Sequence, residues 1–226
     1  MTHYFLTGAS AGIGAALATR LCENGHGVSA VARRDDRLAT MATKLPGFWS
    51  AGCDVTMANQ LAKSVAAAEK AQGGIDVAIL NAGIYQPQDG SAIDPAIYAN
   101  HMDVNYMGVV NAMAAIVPRM IARGGGHIVI ISSVAGWRGL PKSAAYGPTK
   151  AALISLAESL HFDLQPKGVR LQVICPGFVE SEATAVNDFE MPGLMTADAA
   201  AQAIIDAMSK NDFLVHFPKS FTRSMA

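Results

Sequence analysis

His3 to Gly14 reads HYFLTGASAGIG, and the next eleven residues, AALATRLCENG, carry the chain to Gly25. A short apolar run ends at once in a glycine turn, and the turn opens into a segment whose apolar residues Ile13, Leu17 and Leu21 recur at helical spacing. Strand, turn and helix in that order are the context that gives a glycine fingerprint its meaning. Gly8 permits a tight turn, Gly12 lets backbone approach a pyrophosphate, and Gly14 allows close packing of helix on strand. Ser10 and Ile13 are counted in the same cradle, where the helix start attracts an anion. The spacing is GxxxGxG rather than GxGxxG, so the glycines taken alone also suit a structural turn. Gly25 is placed to end the helix with a left-handed cap.

Working outward, short apolar runs alternate with longer segments of helical period, the pattern of parallel strands covered by helices on both faces. Strands are predicted at residues 3–7, 28–32, 48–53, 77–80, 127–131, 170–174 and 213–215. Helices are predicted at residues 12–24, 37–44, 57–72, 100–123, 147–165 and 196–209. The fold class is therefore α/β: a Rossmann-type, doubly wound, parallel sheet of about seven strands with helices on both faces. A chain of 226 residues that is 51% hydrophobic, with no Pro/Ser-rich linker, reads as one domain over residues 1–226. Within it, residues 178–195 contain Pro192 and Gly193 and read as a substrate lid.

A net charge of −1 with both signs interspersed predicts neither a nucleic-acid partner nor an acidic tail, which leaves a small molecule as the partner. Cys22, Cys53 and Cys175 are odd in number and far apart, which suits a reducing compartment. No secretion signal is read at the start, and no apolar stretch reads as long enough to span a bilayer. A soluble, cytoplasmic protein without membrane contact is the expectation. The six histidines show no pair at metal-binding helical spacing, so no catalytic metal is expected.

About 20 residues past the glycines, a dinucleotide fold usually offers a carboxylate to the ribose 2′-hydroxyl. Here the place holds Arg33 and Arg34. Two guanidiniums suit a 2′-phosphate, which predicts NADP(H) in preference to NAD(H), with use of NAD(H) left open. The competing reading is a solvated pair neutralised by Asp35 and Asp36.

Tyr146 and Lys150 stand four residues apart at the start of a helix, with Ser133 upstream at the end of HIVIISS. A phenol titrates near 10 unless a positive charge stabilises its anion, and positions i and i+4 share a helix face. The spacing therefore predicts an acid/base pair in which Lys150 lowers the phenol's pKa.

These motifs, taken with CDVT at Cys53 to Thr56, NAG at Asn81 to Gly83, Asn105 in MDVNYMG, and Pro176–Gly177, resemble the short-chain dehydrogenase/reductase family, in its compact branch, over nearly the whole chain. The resemblance implies a nicotinamide cofactor and reversible carbonyl–alcohol chemistry. It implies that Tyr146 is the proton donor in reduction, that Lys150 also bonds the nicotinamide ribose, and that Ser133 orients the carbonyl oxygen. Asn105 would help hold a water linking Lys150 to solvent. Asp54 and Val55 would lie near adenine; Asn81, Ala82 and Gly83 beside the ribose; Pro176, Gly177 and Val179 around the nicotinamide. Ser181 departs from the Thr of many relatives, within an acidic run from Glu180 to Glu182. A homodimer or homotetramer packed through the two long helices is also implied.

Ala135, Trp137, Leu140, Tyr85 and the segment after Phe178 are expected to line a largely apolar substrate pocket, suited to a hydrophobic ketone or aldehyde. The alternatives are a catalytically inactive dinucleotide-binding regulator, which has no need for Asn105, Ser133, Tyr146 and Lys150 together, and a nucleotide-sugar epimerase, which calls for a different glycine spacing.

Overall fold

The computed structural model describes Met1 to Thr222 and Met225. Seven strands form one parallel sheet: β1 (His3–Thr7), β2 (Gly27–Ala32), β3 (Phe48–Gly52), β4 (Val77–Leu80), β5 (Gly126–Ile131), β6 (Val169–Pro176) and β7 (Leu214–Phe217). Their order across the sheet is β3-β2-β1-β4-β5-β6-β7. Each strand before β7 is followed by a helical crossover, so the sequence runs outward from β1 to one edge and then returns to build the other. The change of direction lies between β1 and β4, which leaves a crevice at the carboxyl ends of the central strands.

The helices are α1 (Gly12–Glu23), α2 (Asp35–Ala42), α3 (Ala58–Gln72), α4 (Pro95–His101), α5 (Gly108–Ala122), α6 (Gly147–Leu164), α7 (Ala197–Met208) and the short α8 (Lys219–Thr222). Alternate strand residues point to opposite faces, and the core divides accordingly. Phe5, Leu80, Ile130 and Val173 meet α3, α5 and α6 through Leu61, Ile116 and Leu153. Leu6, Ile79, Val129 and Ile174 meet α1, α2 and α7 through Leu17, Leu38 and Ile204. Both faces are covered, which is why the central strands read as nearly continuous apolar runs rather than as alternating ones.

Helix ends follow local chemistry. Gly25 ends α1 as expected, with a φ of 78°; its N–H donates to Cys22 O at 2.9 Å and that of His26 to Leu21 O at 3.0 Å. The helix expected over residues 100–123 is different in kind. It begins earlier, at Pro95, because Asp94 accepts from the Ala96 N–H at 2.9 Å and Pro95 suits a first helical position. It then widens into a π-turn over Met102–Met107 before α5. The whole run from Pro95 to Ala122 has the length and apolar composition needed to cross a membrane, contrary to the sequence reading. Much of its apolar surface faces the protein interior, with Val109, Ala112, Ile116 and Met120 buried in the core.

Candidate active site

The glycine turn shows its reasons directly. Gly8 has a φ of 73°, and a Cβ there would stand 2.7 Å from Ala82 Cα. A Cβ on Gly14 would stand 2.2 Å from Gly8 O, so only glycine lets α1 start this close to β1. Ala11 precedes α1 and offers no side-chain cap, which leaves the first N–H groups of the helix available to an anion. Asn81 braces the turn: its side-chain N–H group donates to Thr7 O and Gly8 O, both at 3.2 Å, while its backbone N–H donates to Thr7 Oγ1 at 3.0 Å. The residue expected beside the ribose thus has its amide committed to the turn itself.

A cleft of about 1180 Å³ runs from this turn along the carboxyl ends of the strands. It exceeds the roughly 300–1,000 Å³ of ordinary small-molecule pockets, which fits a dinucleotide together with a second compound. The cradle residues Gly8, Ser10, Gly12 and Ile13 line it, as do Arg33, Arg34, Asp54 and Val55. Ala82 and Gly83 stand beside Asn81 on its wall, and Pro176, Gly177, Val179 and Ser181 lie farther along. The uncapped helix start and the glycine turn against β4 fit a pyrophosphate; the arginines fit an additional anion.

Ser133, Tyr146 and Lys150 line the same cleft. Ser133 lies just beyond β5, where its Oγ accepts from the Ala135 N–H at 3.1 Å and so caps a single 3₁₀ turn over Val134–Gly136. Tyr146 stands immediately before α6, with Lys150 one turn on. Lys150 is buried and its Nζ donates to Ile131 O at 2.8 Å. The ammonium lies 5.5 Å from the centre of the Tyr146 ring. Tyr85 packs edge-on against that ring at 5.3 Å.

The electrostatics depart from the sequence expectation. Burial pushes the Tyr146 phenol up to about 12, although a hydrogen bond with Ser133 pulls the other way. Tyr146 keeps some exposure along the cleft, yet the surrounding protein mass is dense enough for loss of hydration to dominate. Burial also lowers Lys150 to about 8. A lysine that is itself desolvated and held by a carbonyl does not, through the protein's own groups, bring the phenol down.

Asn105 does not line the cleft; it is fully buried in the π-turn. Its Oδ1 accepts from the Ile84 N–H at 2.7 Å, and its Nδ2 donates to Ile84 O at 3.0 Å and Thr149 Oγ1 at 3.1 Å. Thr149 Oγ1 in turn donates to Tyr146 O at 2.7 Å. Asn105 therefore ties the loop after β4 to the start of α6, a positioning role. A π-turn at such a point is a common mark of a functional site.

Two expectations about the pocket divide. Phe189 and Leu140 line the cleft, and Phe189 meets Phe178 with ring centres 6.0 Å apart. Trp137 does not line it: it packs edge-on against His216 at 5.1 Å, behind the site, because the 3₁₀ turn directs it toward β7. Sequence reasoning missed Phe221, which α8 brings to the cleft and against Phe178 at 5.5 Å. An aromatic residue in FPKSF was its only signal. It also missed Arg37, which pairs with Glu182 at 2.6 Å beside Arg34. For Arg34, the alternative in which Asp35 and Asp36 neutralise it is replaced by this pairing: among the described residues, the ion pairs of Arg34 and Arg37 go to Glu182.

A glycine turn at the crevice of a parallel sheet, with serine, tyrosine and lysine facing the same cleft, belongs to an oxidoreductase of CH–OH and C=O groups that uses a nicotinamide dinucleotide. The family model for short chain dehydrogenases matches residues 2–191. An uncharacterized oxidoreductase of Myxococcus xanthus is 36% identical over 220 residues, covering 94% of this chain and 86% of the relative. Human dehydrogenase/reductase SDR family member 4 is 32% identical over 182 residues, covering 78% of this chain and 65% of the relative. Among solved structures, the closed form of a serine dehydrogenase complexed with NADP+ superposes with a TM-score of 0.88 at 25% identity, over 97% of this chain and 96% of that one. Serine dehydrogenase from Escherichia coli gives a TM-score of 0.85 at 26% identity, over 97% and 99%. The chain belongs to the short-chain dehydrogenase/reductase family.

Proposed function

We propose that the protein is an NADP(H)-dependent reductase of a hydrophobic ketone or aldehyde, with Tyr146 as proton donor, Ser133 as the second hydrogen-bond partner of the carbonyl oxygen and Lys150 as the cation beside them. The observation that carries this reading is the convergence of Ser133, Tyr146 and Lys150 on the cleft that the glycine turn opens. A nicotinamide cofactor, when bound, supplies the hydride that the protein cannot. The chain's own part is to hold the carbonyl and deliver a proton. A phenol at about 12 is protonated near neutral pH, so it carries the proton that a developing alkoxide takes up during reduction. Such general acid help is typically worth about 10²- to 10⁴-fold.

Arg33 and Arg34 support the preference for a 2′-phosphate, and Gly8, Ser10, Gly12, Ile13 and Gly14 support pyrophosphate binding; NAD(H) is the weaker alternative. The walls formed by Tyr85, Leu140, Phe178, Phe189 and Phe221 favour an apolar substrate. Residues 178–195 serve as the lid over it. Phe162 on α6 is 77% exposed, and Met102 and Met107 are exposed in the π-turn, which supports a homodimer or homotetramer packed through α5 and α6; a monomer mass by light scattering would exclude it. Three free, buried cysteines agree with a cytoplasmic setting.

The test is NADPH and NADH oxidation at 340 nm with a panel of aldehydes, diketones, quinones and ketosteroids, with serine and NADP+ run in the oxidative direction. Tyr146→Phe is expected to lower kcat by at least about 10²-fold while cofactor binding is retained. Wild-type turnover by that variant removes Tyr146 from the role. A KM for NADH equal to or below that for NADPH, at similar turnover, removes the cofactor preference.

A further inference from the structure

Ion pairs tie down the segment that leaves β6 at two places. At the far end Lys142 Nζ meets the Asp188 carboxylate at 2.8 Å. At the near end the two oxygens of Glu182 accept separately, Oε2 from Arg34 Nη1 at 2.5 Å and Oε1 from Arg37 Nη1 at 2.6 Å. Arg34 is fixed from its other edge, where Nε donates to Ser10 Oγ at 3.0 Å in the glycine turn. One guanidinium therefore joins the phosphate cradle to the segment above it. The segment is also close to the turn itself: a Cβ built on Gly12 would stand 3.3 Å from Ser181 Cβ, one residue before Glu182.

A carboxylate clasped by two guanidiniums and a phosphate clasped by the same groups use one chemistry, because the planar N–H fork matches both anions. Ser10, Arg33, Arg34, Ser181 and Glu182 all line the same end of the cleft. Glu182 thus occupies the anion-binding face of Arg34, one of the two arginines read as holding a ribose phosphate, and of the neighbouring Arg37. We propose that Glu182 is an internal competitor for that seat: a 2′-phosphate displaces it from Arg34 and Arg37 and releases the near end of the segment, whereas a cofactor without that phosphate leaves the latch closed. The proposal rests on the NADP(H) reading for its natural ligand. It makes Glu182 a specificity-determining residue that lowers affinity for the phosphorylated cofactor in exchange for coupling the segment to its arrival. The phosphate carries about −1.5 to −2 charges against −1 for the carboxylate, and exposed ion pairs are individually weak, so the exchange runs in favour of the phosphate.

The experiment separates the latch from the cofactor preference. Binding of 2′,5′-ADP and of 5′-ADP is measured by titration calorimetry for the wild type and for Glu182→Gln, with elastase cleavage at Ala183 and Ala185, beside Glu182, as a second readout. Glu182 is 57% exposed, so the substitution leaves folding intact. The variant is expected to bind 2′,5′-ADP about three- to tenfold tighter, with 5′-ADP changed by less than about twofold. In the wild type 2′,5′-ADP accelerates cleavage and 5′-ADP does not; in the variant cleavage is already fast. Unchanged or weaker binding of 2′,5′-ADP by Glu182→Gln overturns the latch. A wild type that prefers 2′,5′-ADP, beside a variant that gains nothing, refutes the latch and keeps the preference. Equal wild-type affinities with a gain only in the variant uphold the latch and refute the preference.

Discussion

Replacing Asn105 with alanine tests the link between the π-turn and the catalytic helix. The side chain is fully buried and makes three hydrogen bonds, two of them to Ile84. Thr149 loses one partner but keeps its bond to Tyr146 O at 2.7 Å, so the groups left orphaned are the N–H and C=O of Ile84. Each buried orphan costs about 1–3 kcal/mol. Ile84 is only half-buried, so water recovers part of the loss, and Asn105→Ala should cost about 2–4 kcal/mol. At about 2.1 cal/mol/K per residue near 60 °C, a chain of 226 residues unfolds with an entropy of about 0.5 kcal/mol/K, so Tm should fall by about 4–8 °C. Turnover should fall as well, because a Cβ on Gly83, next to Ile84, would lie only 3.6 Å from Lys150 Nζ. Movement of that loop therefore disturbs the lysine. Asn105→Asp should do no better, since it sets a second oxygen against Ile84 O. Thermal melts followed by circular dichroism, with carbonyl reduction measured below Tm, provide the assay. An Asn105→Ala protein that melts within about 1 °C of wild type and keeps its turnover refutes the reasoning.

Gly14→Ala gains about 1 kcal/mol of helix propensity, but its Cβ meets Gly8 O at 2.2 Å. Overpacking against backbone should outweigh that gain and give a net loss of about 1–3 kcal/mol with weaker cofactor binding. Gly139→Ala, in a loop where a Cβ meets nothing within 4 Å, controls for the added methyl group alone; denaturant midpoints for both decide it, and a stabilised Gly14→Ala would show that the close approach is misread. His127 supplies a pH prediction. Burial, followed by the nearby Arg170 charge, holds its imidazole down at about 4 against 6.5 for a free histidine. Between those values the unfolded chain binds more protons, so stability is complete above about 6.5 and is lost as pH falls toward 4. The ceiling is about 3 kcal/mol; urea midpoints from pH 4.5 to 7 should show the wild type losing more than His127→Gln, and equal slopes would clear His127 of the effect.

The parallel α/β architecture was legible because periodicity is a local property: apolar runs at β1, β4, β5 and β6 are buried on both faces, and α1 carries its stripe every turn. The glycine cradle was legible too, since a turn with a positive φ at Gly8 and a close approach at Gly14 leaves no other residue a place. Tyr146 and Lys150 needed only helical spacing to be read as neighbours. What spacing could not supply was solvation. The phenol rises to about 12 rather than falling because protein closes around it from several distant segments. Tertiary structure likewise decided that Glu182 meets arginines about 145 residues earlier in the chain, that Trp137 turns away from the cleft while Phe221 comes to it, and that Asn105 braces the site rather than lining it. Sequence determined the elements and the residues at their ends, because those follow from backbone geometry and local burial. The partners of those residues, and the charge states their surroundings allow, depend on which ends the sheet order brings together.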